Sequence, residues 1–139
     1  MHKAVFDTNV YISAILGGKT CKTLLEIALC GREISLFISE PILNELHEKL
    51  ISKFKFESRE LIIILKEILF HAQLIDPSHS VNVSEDPDDN KIVNCALSAK
   101  TDFVVSGDRH LKEIKQYRKI KFLSPAEFLA LIKGENGDG

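Results

Sequence analysis

Apolar positions along this chain fall in short runs that alternate between strand-like and helix-like spacing. Ala4-Val5-Phe6 is a compact apolar run with two β-favouring members and predicts a buried strand almost at the start. Val10 to Leu16 then predicts a short helix, capped by Thr8 or Asn9 and ended by Gly17-Gly18. Leu24, Leu25, Ala28 and Leu29 recur at helical spacing within Thr20 to Leu29, with Gly31 as the stop. Glu33 to Ile38 reads as a second strand. Ser39 can cap the next helix, which tolerates Pro41 in its first turn and runs to about Ser52. A strongly apolar helix is expected from Ser58 to about Ala72, with Leu61, Ile62, Leu65, Ile68 and Leu69 along one stripe. A short strand, Gln73-Leu74-Ile75, and a polar connection from Pro77 to Glu85 follow it.

The second half continues the alternation. Asp86-Pro87-Asp88-Asp89-Asn90 is an acidic helix entry with apolar Ile92, Val93, Ala96 and Leu97 behind it. Asp102 to Asp108 holds a strand that ends in a carboxylate, Arg109 to Tyr117 reads as a short basic helix, and Lys121-Phe122-Leu123 as a fifth strand. Ser124-Pro125-Ala126-Glu127 is a capping box that opens a last helix to Lys133, leaving residues 134–139 as a flexible tail. Strands alternating with helices predict an α/β sandwich with a mostly parallel central sheet, in a single domain over residues 1–133.

Composition changes this picture little. With 45% hydrophobic and 27% charged residues among 139, the chain is far from the disordered regime. No apolar stretch approaches the roughly 18 residues of a membrane helix and no signal-peptide pattern stands at Met1, so a cytoplasmic protein away from membranes is expected. Cys21, Cys30 and Cys95 show no metal-ligand spacing and read as reduced residues.

Chemistry enters through the acids. Ligands in open parallel sheets gather at the carboxyl ends of strands, and Asp7 and Asp108 both stand at such ends. Counting back from Ala96 by helical repeats through Ile92 or Val93 reaches Asp89, which extends the packed face of its helix by one turn. Asp86 and Asp88 lie off that phase and read as caps or solvated acids. Around the helix from Glu40 to Ser52, Leu43, Leu46 and Leu50 form the core stripe with Ile42 on its flank. Glu45 then borders the buried side, and Glu48 points away. Four carboxylates brought to one rim repel and need a neutralising partner. Oxygen donors without His or Cys suit Mg²⁺ or Mn²⁺, singly or in pairs, and such ions polarise a phosphodiester and activate bound water. Thr8, Asn9 and Ser106 are placed to support the carboxylates.

Four segments in this order carry a resemblance: Phe6-Asp7-Thr8-Asn9, Ser39-Glu40-Pro41-Ile42-Leu43-Asn44-Glu45-Leu46, Asp86-Pro87-Asp88-Asp89-Asn90-Lys91 and Val105-Ser106-Gly107-Asp108. Together they resemble the PIN-domain family, most of all its prokaryotic VapC-like toxin components of toxin–antitoxin systems, from Lys3 to about Lys133. The resemblance implies a PIN-like three-layer α/β/α sandwich and a Mg²⁺- or Mn²⁺-dependent endoribonuclease. It carries the family's acidic positions over to Asp7, Glu45, Asp89 and Asp108 as catalytic and metal-holding residues. A small antitoxin protein is the partner it implies.

A phosphate backbone needs cations beside such a rim, and Arg109, next to Asp108, leads Lys19 and Lys112 as candidates for holding RNA. The apolar circumference of the Ser58–Ala72 helix points to a homodimer. Two rival readings stand beside the nuclease. Aspartyl-phosphate chemistry on Asp7 would want a second aspartate where Asn9 stands. An inactive PIN domain serving as an RNA- or protein-binding module would not require all four acids.

Overall fold

The computed structural model describes residues 1–78 and 80–136. Strand β1 (His2–Phe6) leads into α1 (Thr8–Ile15) and α2 (Lys19–Cys30), then β2 (Ile34–Ser39), α3 (Glu40–Ser52), α4 (Ser58–His71) and β3 (Gln73–Ile75). After a connection come α5 (Pro87–Ala99), β4 (Phe103–Val105), α6 (Arg109–Ile114), β5 (Gln116–Tyr117), β6 (Ile120–Leu123) and α7 (Pro125–Asn136).

The strands form one sheet in the order β3-β2-β1-β4-β6-β5, parallel throughout except for the β5–β6 hairpin at one edge. This is the expected α/β architecture, and the helices supply the apolar faces that cover it. The centre is the most apolar part: Ala4, Val5 and Phe6 of β1 are fully buried, as are Val104 and Val105 of β4. A strand buried on both faces must read as a continuous apolar run, and these do. The chain builds outward from β1 through β2 to β3 and then crosses back to place β4 on the other side of β1. Strands β2 and β4 therefore flank it, and the crossovers leave a crevice above its carboxyl end. Gly31 ends α2 at φ 70°, a left-handed turn that costs a glycine little.

Several expected boundaries shift. Asp7, not Thr8 or Asn9, is the residue at which α1 begins, and Thr8 is already helical. On α3 the fully buried row is Ile42, Leu46 and Leu50, so Ile42 is central and Leu43 lies on the flank. On α4, Leu61 and Ile68 are buried, but Ile62 is 51% exposed and belongs to the outer face with Ile63 and Phe70. The basic helix after Asp108 stops at Ile114, and Gln116–Tyr117 turn back as an edge strand. That hairpin closes over Arg118 and Lys119, with Arg118 at φ 54°. Such a turn usually shows Asn-Gly or Asp-Gly, and a pair of basic residues gives no such signal. The capping box forms as expected: the Ser124 N–H donates to Glu127 Oε1 at 2.8 Å and the Glu127 N–H to Ser124 Oγ at 3.1 Å. Helix α7 runs past Lys133 to Asn136, and the tail expected over 134–139 lies from 137 onward outside the described residues. Among the described residues no helix is long and apolar enough to cross a membrane, and the three cysteines are free.

Candidate active site

Asp7 is the first residue beyond β1, and the ladders on either side continue level with it. Its N–H donates to Val105 O at 2.9 Å, and the next N–H along, that of Ser106, donates to Leu123 O at 2.9 Å. The register therefore sets Ser106 beside Asp7, and the Ser106 hydroxyl donates to Asp7 Oδ2 at 2.7 Å. Ser106 Oγ also accepts from the Asp108 N–H at 2.9 Å, so one hydroxyl fixes both the central carboxylate and the turn that carries Asp108. Asp108 in turn opens α6, its Oδ1 accepting from the His110 N–H at 2.7 Å.

Asp89 enters from the other side. Asp86 caps α5, accepting from the Asp88 N–H at 2.9 Å, and the first turn then brings Asp89 inward to 4% exposure. The connection before α5 is tied down by side chains of that helix. Asn90 Oδ1 accepts from the N–H groups of Val83 and Ser84 at 2.9 and 3.1 Å, and Asn94 Oδ1 accepts from the Val81 N–H at 2.8 Å. The Ser84 hydroxyl, positioned by this arrangement, donates to Asp89 Oδ2 at 3.0 Å. Asn90 and Ser84 did not stand out in the sequence. The one signal was an amide directly after the acid pair, and a lone Asn in a first helical turn is an ordinary residue there.

Glu45 comes from α3. Its side chain is 10% exposed, Oε2 meets Lys49 Nζ at 3.0 Å, and Oε1 lies 3.9 Å from Lys91 Nζ. Lys91 is itself drawn to Asp88 at 3.1 Å. Glu45 Oε1 is buried with no hydrogen-bond partner, and so is the Thr8 hydroxyl. Glu48 is exposed, as phase predicted.

The electrostatics show which groups share a space. Burial pushes the Asp7 carboxyl above its ordinary value. The Ser106 hydroxyl, the Asn9 backbone N–H and Lys49 work against that rise, and Asp108 adds to it. Asp89 is raised by burial first, against the Ser84 hydroxyl, and then by Asp108, Asp86 and Asp7. Lys49 is raised overall: burial opposes its charge, but Glu45, Asp88 and Asp7 outweigh it. Asp108 thus acts on both Asp7 and Asp89, Asp7 acts on Asp89, and Lys49 lies between Glu45 and Asp7. Among the described residues, no three His, Cys, Asp or Glu side chains close into a group able to hold a metal ion as they stand. The reason is visible in the partners: Glu45 is drawn to two lysines, Asp108 caps a helix and Asp89 leans on Ser84. The donors are nonetheless all oxygen, and a buried carboxylate oxygen without a hydrogen bond is an acceptor in want of a partner. That combination fits a hard divalent cation.

Of the residues expected to support or flank the rim, Ser106 touches Asp7 directly and Thr8 is buried without a side-chain partner. Asn9 is exposed and meets Asp7 through its backbone N–H. Arg109 is exposed and lines a cleft with Gly107, Lys115 and Lys121. Lys112 lines it too, but its ammonium is held by Glu127 at 3.0 Å. Lys19 is exposed at the start of α2.

Comparison with known proteins adds an independent line. The family described as PIN domain matches residues 3–110. The uncharacterized protein MJ1680 of Methanocaldococcus jannaschii is 28% identical over 139 aligned residues, covering 91% of this chain and 89% of that one. Among solved structures, a chain of the crystal structure of VapBC2 from Rickettsia felis, bound to a DNA fragment from their promoter, aligns with TM-score 0.61 at 17% identity. It covers 88% of this chain and 98% of that chain, and at that identity the likeness shows the fold.

Proposed function

Because the chain belongs to the PIN-domain family, whose members are generally nucleases, we propose that it is a Mg²⁺- or Mn²⁺-dependent endoribonuclease and the toxin of a toxin–antitoxin pair. The observation that carries the reading is the Asp7–Ser106–Asp108 arrangement at the carboxyl edge of the central strands, with Asp89 facing it across the crevice. Asp7, Glu45, Asp89 and Asp108 would hold the cation, which when bound supplies Lewis-acid polarisation of the phosphodiester.

The chain's own residues do the rest. Ser106 orients Asp7 and fixes the Asp108 turn, so that substrate meets carboxylates already in place. Ser84 does the same for Asp89. Arg109, beside Asp108, offers a guanidinium to the backbone of RNA entering the crevice, with exposed Lys19 a further contributor. Lys112 contributes only once Glu127 releases it.

The fold it shares with a chain of VapBC2 supports an antitoxin as partner. Exposed apolar Ile62, Ile63 and Phe70 of α4, with Leu74 of β3, support pairing with a second copy of the chain. The deciding experiment incubates the purified protein and its Asp7→Asn variant with total RNA in Mg²⁺, Mn²⁺ or EDTA. Cleavage by the wild type alone, and only with the cation, is the expected result. RNA retained on the protein but never cut would make it a binding module.

A further inference from the structure

The acidic rim contains a cation of its own. Lys49 stands one turn after Glu45 on α3, with its ammonium 3.0 Å from Glu45 Oε2 and its charge felt by Asp7. A Glu–Lys pair at this spacing on an open helix is an ordinary surface contact. This pair differs, because the glutamate side chain is 10% exposed, the lysine 25%, and the other carboxylate oxygen is buried without a hydrogen bond. Of the four acids Asp7, Glu45, Asp89 and Asp108, Lys49 offsets the charge of Glu45 and Asp7.

Arrival of a divalent cation changes that balance. An ammonium beside a doubly charged ion is repelled, and Glu45, its partner, is one of the acids that would hold the ion. Lys49 has somewhere to go. It lines a cleft along α3 with Asn44, Glu45, Lys53, Asp88 and Lys91. Lys91 is the other lysine near Glu45, but its shorter contact is to Asp88, at 3.1 Å against 3.9 Å. Lys49 is therefore the cation whose partner changes. We propose that Lys49 is a phosphate-binding residue held in reserve: it neutralises Glu45 in the metal-free protein and is released to the backbone of the polynucleotide when the cation binds. The inference rests on the metal-dependent nuclease reading and adds a coupling between cation loading and substrate grip. Polynucleotide is held along α3 only once the site is loaded.

Lys49→Met keeps the aliphatic stem and removes the charge, and Lys49→Arg keeps the charge. Titration calorimetry with Mn²⁺ alone should show Lys49→Met binding about tenfold tighter than wild type, because a repelling charge is gone, while Lys49→Arg stays near wild type. Binding of a random-sequence 30-nucleotide RNA is then measured by anisotropy, in EDTA and with Ca²⁺, which takes the same oxygen ligands. With Ca²⁺, Lys49→Met should bind roughly five- to tenfold more weakly, its salt slope shallower by about 0.7, the change for one single-strand phosphate contact. In EDTA the two proteins should bind RNA alike. Mn²⁺ affinity that is unchanged or weaker in Lys49→Met, at a normal melting temperature, overturns the proposal. So does RNA binding that responds equally with and without the cation. A wild type that binds no Mn²⁺ overturns the metal reading itself, and this inference with it.

Discussion

Glu45 and Glu127 each meet a lysine at 3.0 Å, one across a turn of α3 and the other between α6 and α7. Glu127 is served at the surface. Its Oε1 accepts from the Ser124 N–H, it faces Lys112, and its side chain is 52% exposed to water. The Ser124 backbone N–H, then Lys112 and the Ser124 hydroxyl, favour its charged form and pull its pKa down to about 2. Glu45 has one lysine close, one at 3.9 Å, and a buried oxygen with no hydrogen bond. The distances are the same and the roles are not. A carboxylate that faces water and a backbone N–H caps the start of a helix, whereas one with a buried, unpartnered oxygen is arranged for a ligand.

The sharpest way to break this contrast is to neutralise both. Glu45→Gln should lower Mn²⁺-dependent RNA cleavage by at least about 100-fold, since a group that holds the cation loses its charge. Glu127→Gln should leave the cleavage rate within about twofold and lower the melting temperature by a few degrees, because the capping box weakens. Rates measured at saturating Mn²⁺ decide it. Equal rates in the two variants would mean that Glu45 is as structural as Glu127.

The two serines sharpen it further. Ser106 serves the rim and Ser124 serves the cap. Ser106→Ala frees Asp7 Oδ2 and loosens the Asp108 turn, so cleavage should fall by about 10- to 100-fold, the usual cost of losing a support behind a metal-holding group. Ser124→Ala should cost thermal stability alone. A Ser106→Ala enzyme with full activity would show that Asp7 is positioned by burial and its backbone without that hydroxyl.

How much of this could be read beforehand follows from what each residue must satisfy. Asp7 and Asp108 were legible because apolar strands end on them, and Asp89 because its helix has a single buried phase. The capping box was legible because its two hydrogen bonds are local. In the sequence Lys49 could not be told from any solvated lysine, since a Glu–Lys pair one turn apart looks the same on any helix, and only burial sets this one apart. The pairing of Lys112 with Glu127 was not legible, because the sequence does not say that α7 will bring Glu127 against α6. The β5–β6 hairpin stayed hidden behind the residues of its turn, and the outward face of α4 behind a stripe too apolar to show its own edge.

The smallest effect comes from Asp89, which is Glu127 with the sign reversed. Glu127 has a depressed folded-state pKa, so the stability it contributes is present above its ordinary value of 4.5. That contribution is lost as pH falls from there toward about 2. Burial and the neighbouring Asp108, Asp86 and Asp7 raise Asp89 above its ordinary 3.8 against the Ser84 hydroxyl. Its contribution is therefore full below 3.8 and is lost as pH rises through the raised folded value. At neutral pH in EDTA the ionised Asp89 is a net cost to the fold, and Asp89→Asn removes the charge while keeping an oxygen for Ser84. The metal-free melting temperature of Asp89→Asn at pH 7 should equal or slightly exceed that of wild type, by about 1–2 °C, and the difference should close as the pH is taken below 3.8. The Glu127→Gln profile should run the other way, below wild type at pH 7 and converging with it as acid protonates Glu127. Added Mn²⁺ should raise the wild-type melting temperature and raise that of Asp89→Asn less, by mass action on a weaker site. A metal-free Asp89→Asn that melts well below wild type at pH 7 would place Asp89 with Glu127, as an acid the fold needs charged.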